Sequence, residues 1–392
     1  MSAPASSRPL RVFLVAGEES GDRLGAPLMR ALRERENGVT FAGVGGGEMA
    51  REGLISHFPI SDLAIMGFNA VARKLPLIFR RIRETAAAVI AAKPDVLVII
   101  DSPDFTHRVA RRVRRRAPSI PIVNYVSPSV WAWRPGRARR MRRYVDHVLA
   151  LLPFEPQVHE RLGGPRCSYV GHPLAETAAS LRPNESEAAR RHTDPPILLV
   201  LPGSRSGEIK RLLNIFAKTV EALERAAGPL EVIIPAVPHL EATLRQETGG
   251  WSRPPRIVVD AGEKQAAFRT ARAALTKSGT VTLELAVARV PMVAAYMVSA
   301  LEAAIGRRAI WAPSAILTNL VLGENVVPEF LQENCTVENL TRALLPLLSE
   351  TPERQRQLDA FARLDAVMEI GLAHPSARGA EIVLREAAHV SA

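Results

Sequence analysis

Cysteine is scarce. The 392 residues include only Cys167 and Cys335, and the two show no metal-ligand spacing. A cysteine-held metal centre is excluded, and a reduced, cytoplasmic compartment fits. Aromatic residues are also few, at 5%. No apolar run approaches the roughly 20 residues that cross a bilayer. The segment from Met1 to Pro9 is polar and has no apolar signal core, so no secretory leader is expected. Several catalytic signatures are absent as well. Gly43-Val44-Gly45-Gly46-Gly47-Glu48 comes near the dinucleotide fingerprint but ends on Glu, and there is no Walker A lysine motif. Gly17 to Gly21 and Gly203 to Gly207 both put serine at the wrong offset for a nucleophile elbow. These gaps argue against dehydrogenase, kinase-like and hydrolase chemistry, and no metal or cofactor is expected.

Positive charge, by contrast, is abundant, with a formal net charge of +11. It is concentrated in two arginine runs. One holds Arg108, Arg111, Arg112, Arg114, Arg115 and Arg116; the other holds Arg134, Arg137, Arg139, Arg140, Arg142 and Arg143. Such a field attracts acidic lipid headgroups, phosphorylated substrates or nucleic acid. A solvated arginine-rich helix face is the plainer alternative. Met66, Phe68 and Phe79, with Val71, Leu75 and Ile78 between them, are flanked by Arg73, Lys74, Arg80, Arg81 and Arg83. That pattern fits either a basic amphipathic stretch on an anionic membrane or a helix facing the core.

Apolar runs alternate with helical patterns twice. The first series has strands at Leu10–Ala16, Phe41–Val44, Asp95–Ile100, Ile120–Tyr125, Val145–Leu151 and near Tyr169. The second has strands at Ile197–Leu201, Leu230–Pro235, Arg256–Val259, Ala273–Thr276 and Pro291–Tyr296. This alternation predicts an α/β chain with two doubly wound, Rossmann-like domains. The expected division is residues 1–190, residues 191–350 and a helical tail over 351–392, with a linker at Leu181–Pro196. Ligands of such sheets sit beyond the carboxyl ends of the strands. If the two domains face each other, the loops at those ends line one cleft.

Four loops carry candidate chemistry. Asp101 ends an apolar strand before Pro103 and is placed to act as a general base; Asp104, just before Phe105, is better placed to cap the next helix. Tyr125-Val126-Ser127-Pro128-Ser129-Val130-Trp131-Ala132-Trp133-Arg134 reads as an acceptor wall or as locally packed loop. Pro202-Gly203-Ser204-Arg205 follows a buried strand and opens a helix, where backbone N–H groups and Arg205 suit phosphate. Ser278-Gly279-Thr280 repeats that arrangement. Glu284, one turn on, is placed to accept ribose hydroxyls; the plain alternative is an N-cap at Thr280.

Together these segments resemble one family, the lipid-A-disaccharide synthases, which are inverting glycosyltransferases of the GT-B fold. The resemblance runs nearly end to end. It is carried by Val15 to Asp22, Asp101 to Phe105, Tyr125 to Trp133, Leu152 to Glu155, Gly171 to Pro173, Leu201 to Arg205, Ser278 to Glu284 and Leu317 to Leu322. The Tyr125–Trp133 stretch is the most specific. The resemblance implies transfer of the sugar of UDP-2,3-diacylglucosamine to 2,3-diacylglucosamine 1-phosphate (lipid X). The products are the β-1,6 disaccharide and UDP. It implies Asp101 as base, Ser20 and Gly21 near the reacting sugar, and Arg205 on the diphosphate. Gly203, Ser204, Ser278, Gly279, Thr280, Glu284 and Asn319 complete the nucleotide site. Ser127, Trp131, Trp133 and Arg134, with Met66, Phe68 and Phe79, face the acceptor and the membrane. The implied partners are the two lipid substrates and the anionic cytoplasmic face of the inner membrane, with no nucleic acid. The tail is expected to pack back on the N-terminal domain or on a partner subunit, and is compatible with exchange in a homodimer. Glu19 and Lys277 depart from the family, which tends to have small residues there. Two other readings remain: a GT-B enzyme using UDP-N-acetylglucosamine, and an arginine-driven nucleic-acid binder.

Overall fold

The computed structural model describes residues 8–63, 68–299, 302–303, 311–372 and 374–388; the side chains of 68–74 are also outside the described set. The chain divides into two compact units, residues up to Pro173 with the segment from Leu372, and Leu174–Gly371.

The first unit is built on a six-stranded parallel sheet. Its strands are β1 (Arg11–Ala16), β2 (Thr40–Val44), β3 (Val96–Ile100), β4 (Ile122–Tyr125), β5 (His147–Ala150) and β6 (Arg166–Tyr169). Their order is β2-β1-β3-β4-β5-β6. All five residues of β3 are buried, as a strand covered by helices on both faces requires. The alternation of side chains separates two cores. Val12, Leu14 and Ala16 point to one face, and Phe13 and Val15 to the other. The C-terminal helix Pro375–Ala388 belongs to the first of these faces, where it packs on the helix Glu19–Arg35. Buried Glu386 anchors it, accepting from Arg166 at 2.9 Å and lying 2.9 Å from His147 Nδ1.

The second unit repeats the plan with β7 (Ile197–Leu201), β8 (Glu231–Pro235), β9 (Arg256–Val258), β10 (Ala273–Lys277), β11 (Met292–Tyr296) and β12 (Glu329–Leu331). These six parallel strands run β12-β11-β10-β7-β8-β9. In the first sheet the order reverses between β1 and β3, and in the second between β7 and β10. Such switch points open a crevice beyond the strand ends.

Several boundaries differ from those expected. The division falls at Pro173/Leu174 and not at 190/191. The helices Leu174–Leu181 and Glu185–Arg190 pack on the helix Ala261–Thr270, where Arg269 donates to Ser180 O and pairs with Glu187. The supposed linker contains a helix because Asn184 and Glu187 form a reciprocal capping box. The tail is likewise split: Pro352–Val367 lies in the second unit, whereas Pro375–Ala388 lies in the first unit of the same chain. The short strand β12 was not expected, because three half-exposed residues carry no readable period. Phe68 to Ala92 forms one helix despite Pro76 within it.

One guanidinium binds the second unit together. Arg191 is buried and donates to four backbone carbonyls: Phe268, Arg269, Ala288 and Arg289. These lie where two helices end, and helix ends leave carbonyls without partners. Burial pushes Arg191 down to about 10, so it remains charged at neutral pH. Arg191→Met strands these carbonyls and is expected to cost about 3 kcal/mol in urea denaturation. An unchanged midpoint would show that the contacts carry no stability.

Candidate active site

In the first unit, register places the key loops side by side. Ala16 pairs with Ile100, and Ile100 with Tyr125. The next residues, Gly17, Asp101 and Val126, therefore leave the sheet at one level beside the switch point. Asp101 and Ser102 both have positive φ, 52° and 45°. Two consecutive non-glycine residues in that region are strained, a condition that concentrates at functional sites. The strain is held by bonds to the Asp101 main chain. Asp101 N donates to Tyr125 O at 3.0 Å, and Thr106 Oγ1 donates to Asp101 O at 2.7 Å. The carboxylate is partly exposed and takes the Ser20 hydroxyl at 2.6 Å and the Ser102 N–H at 2.7 Å.

The expected grouping of Ser20, Gly21 and Asp101 is thus present in the fold. Gly21 suits the close approach, since a Cβ there would lie a tight 3.1 Å from Ile100 O. Asp104 is not the helix cap. Pro103 takes the first helical position, Ser102 precedes it, and Asp104 sits in the exposed first turn. Asp22 was missed by sequence reasoning. It is buried and accepts the backbone N–H groups of Gly46, Glu48 and Met49, which fixes the neighbouring Gly-rich turn. An acidic residue after Ser-Gly reads equally well as solvent-facing.

The tryptophan loop divides into two parts. Ser127, expected on an acceptor wall, is buried instead, with Oγ 2.8 Å from His159 Nε2. Trp131 turns inward as well: its indole N–H donates to Glu155 Oε1 at 3.2 Å, and its ring meets Phe154 edge-on. Trp133 and Arg134 face outward, as does Ser129. The Arg134 guanidinium lies 4.2 Å from the Trp133 ring centre. Phe79 is exposed, beneath Arg108. Phe68 begins its helix, but its side chain lies outside the described residues, as does Met66 altogether.

In the second unit, Leu201 pairs with Thr276, so Pro202–Arg205 and Lys277–Thr280 emerge together at the switch point. Gly203 has φ +125°, and a Cβ there would collide with Glu208 Oε2 at 2.3 Å. Glu208 Oε2 accepts the Ser204 N–H at 3.0 Å. Arg205 is highly exposed, while Ser278 is buried with its hydroxyl on Ala315 O. Gly279 is open around its Cα except for Lys277 Nζ, which would lie 3.8 Å from a Cβ there. Thr280 stands at the N-cap position but makes no side-chain cap bond. Burial raises the carboxyl of Glu284, one turn into the helix. Asn319 does not fit a ligand role. It is 2% exposed, its Oδ1 accepts from Val326 and Val327, and its Nδ2 donates to Val327 O. Its hydrogen-bonding capacity is spent on closing its own loop.

A family model described as lipid-A-disaccharide synthetase matches residues 12–373. The chain belongs to the lipid-A-disaccharide synthase family. A relative from Nitrobacter hamburgensis, named lipid-A-disaccharide synthase, is 62% identical over 391 residues, covering 100% of this chain and 98% of its own. Among solved structures, the glycotransferase of kitacinnamycin has a TM-score of 0.62 at 17% identity, covering 97% of this chain and 100% of that one. The UDP-GlcNAc 2-epimerase of Neisseria meningitidis, bound to UDP-GlcNAc, has a TM-score of 0.60 at 12% identity, covering 96% and 99%. These two likenesses concern the fold, the expected pair of Rossmann-like units. Family membership makes the chain a glycosyltransferase of lipid A biosynthesis, and the epimerase and nucleic-acid readings are not favoured.

Two buried groups behind the tryptophan loop titrate in opposite directions. Burial raises Glu155 to about 7, against the N–H groups of Leu152 and Trp131 that favour its charge. Burial lowers His159 to about 4. From the ordinary carboxylate value of 4.5 up to about 7, folded Glu155 keeps a proton that the unfolded chain has lost, so its contribution to stability falls as pH rises. His159 acts oppositely between about 4 and 6.5, where the unfolded chain binds the extra proton. Glu155→Gln removes the falling component alone. Its stability relative to the parent is expected to rise from pH 5 to pH 7 in urea titrations; parallel profiles would contradict this.

Proposed function

We propose that the chain condenses UDP-2,3-diacylglucosamine with 2,3-diacylglucosamine 1-phosphate. Asp101 takes the proton from the acceptor hydroxyl as its oxygen attacks C1 of the donor sugar. The bond from C1 to the phosphate oxygen breaks, and UDP leaves with that electron pair. The single displacement inverts the anomeric centre and yields the β-1,6 linkage. The supporting observation is the Ser20–Asp101 pair on a strained turn at a sheet switch point. Ser20 and the Ser102 N–H each take one lone pair of the carboxylate, one on each oxygen, which leaves a pair on each for a substrate proton.

Loops of the second unit hold the nucleotide in this reading. Arg205 faces outward, where it pairs with the diphosphate and stabilises charge on the leaving UDP. Glu284, whose carboxyl is shielded from water, accepts ribose hydroxyls. Ser278 and Asn319 shape these loops from within and do not touch the ligand.

Both substrates are acylated and anionic, which suits a protein bound peripherally to the cytoplasmic face of the inner membrane. Among the described residues, no helix is long and apolar enough to cross a membrane. The helix Phe68–Ala92 packs on the arginine-rich helix Pro103–Arg116 and leaves Leu75 and Phe79 exposed, giving an apolar face with a basic rim.

The direct test is disaccharide formation from the two lipids in detergent; folded protein without product would end the reading. Asp101→Asn suits the turn, because asparagine tolerates positive φ. It is expected to keep UDP affinity and lose turnover by about 10²- to 10⁴-fold. Near-normal turnover would remove Asp101 as base. Arg205→Ala is expected to weaken UDP, and unchanged affinity would remove its phosphate role. Phe79→Ser is expected to lower binding to vesicles containing anionic lipid, and equal co-sedimentation would place the membrane face elsewhere.

A further inference from the structure

We propose that Lys277 is a phosphate-directed cation of the nucleotide site, and that Glu208 holds it in place while opposing its charge. The inference rests on the reading of these loops as the UDP site. Lys277 is the last residue of β10, next to the strand end that releases Pro202–Arg205. Its Nζ lies 3.1 Å from Glu208 Oε1, and both side chains are largely shielded, at 20% and 15% exposure. The other oxygen of Glu208 holds the Ser204 N–H. Arg205 Nη1 lies 3.8 Å from Glu208 Oε1. Lys277 also lies 5.5 Å from the ring centre of Tyr296 at the end of β11. One carboxylate therefore connects three features: an anion-binding loop, an exposed arginine and a shielded lysine.

The arrangement has a definite electrostatic consequence. Glu208 fills the cradle beside the Ser204 N–H with negative charge, which by itself repels a diphosphate. Lys277 cancels that charge and leaves Arg205 as the net positive group. Without Lys277 the three charges reduce to one cation and one anion. Without the Glu208 charge they become two cations. Because the pair is shielded, salt screens it less than a surface pair. Lys277 carries a flexible stem, so its ammonium can turn from Glu208 to a phosphate oxygen while remaining over the turn at Gly279.

A clasp and a charge device predict different results. If Lys277 only ties the two loops together, Lys277→Met and Glu208→Gln both weaken nucleotide binding. In the proposed role their effects have opposite signs. Glutamine still accepts the Ser204 N–H, so the loop is retained while the charge is lost. Calorimetric titration of the full chain with UDP and with UMP reads the difference. Lys277→Met is expected to weaken UDP about tenfold and UMP less, Lys277→Arg to stay near the parent, and Glu208→Gln to tighten UDP. Unchanged UDP affinity in Lys277→Met, or a loss of the same size in Glu208→Gln, would overturn the assignment. A parent protein that binds no UDP would instead overturn the nucleotide reading beneath it.

Discussion

The structure depends on burial of both faces of two parallel sheets. β3 and β7 consist of residues that are buried throughout. Such strands cannot carry chemistry along their length, since every side chain is committed to one core or the other. Polar function is driven to the carboxyl ends, and the strand order opens a crevice only where it reverses. β1 and β3 end at one reversal, and β7 and β10 at the other. The loops that release Asp101, Arg205 and Lys277 are therefore placed by topology before any side chain is considered.

A loop at a strand end exposes backbone groups that the sheet no longer satisfies. Buried polar side chains answer this need in both units. Asp22 takes three N–H groups of the turn after β2, and Asn319 closes the loop before β12. Glu155 and His159 hold the tryptophan loop from behind. Leaving one such group without its partner costs about 1–3 kcal/mol. The strained pair Asp101–Ser102 persists because a backbone bond to Tyr125 O and a side-chain bond from Thr106 fix it on both sides. Rigidity in these loops is thus produced largely by buried side chains that bond to the loops themselves.

This division explains what could be read from the sequence. β3 and β7 were legible because a parallel strand is a continuous apolar run, and so was the place of Asp101 at a strand end, since it follows one before a proline. Ser20 was legible through its family motif. Ser127 and Asn319 misled for a common reason: a polar residue in a loop motif serves ligand or loop equally, and only three-dimensional partners distinguish the two. Asp22 was missed as framework because its partners are backbone N–H groups, which leave no trace in residue type, and Glu155 because its partners, the Leu152 N–H and the Trp131 indole, meet only in the fold. The boundary near 190 was misplaced because prolines around Pro195 read as a linker, whereas Arg269 and Arg191 tie that segment into the second unit.

The arginine runs are the remaining unbalanced feature. Among the described residues, Arg114 pairs with Asp146 and Arg137 with Asp104. Arg112 shows the cost of the crowding: burial and then the neighbouring Arg115, Arg83, Arg108 and Arg116 lower its pKa. Like charges gathered on one surface oppose folding and are screened only in part by salt. The first run lies on the helix that packs against the one exposing Phe79 and Leu75, with Arg108 over the Phe79 ring. An anionic surface relieves the repulsion and covers the apolar groups in one step, whereas a charged soluble ligand relieves only the first. In the proposed membrane reading, a charged apolar boundary recovers the cost stored in this face.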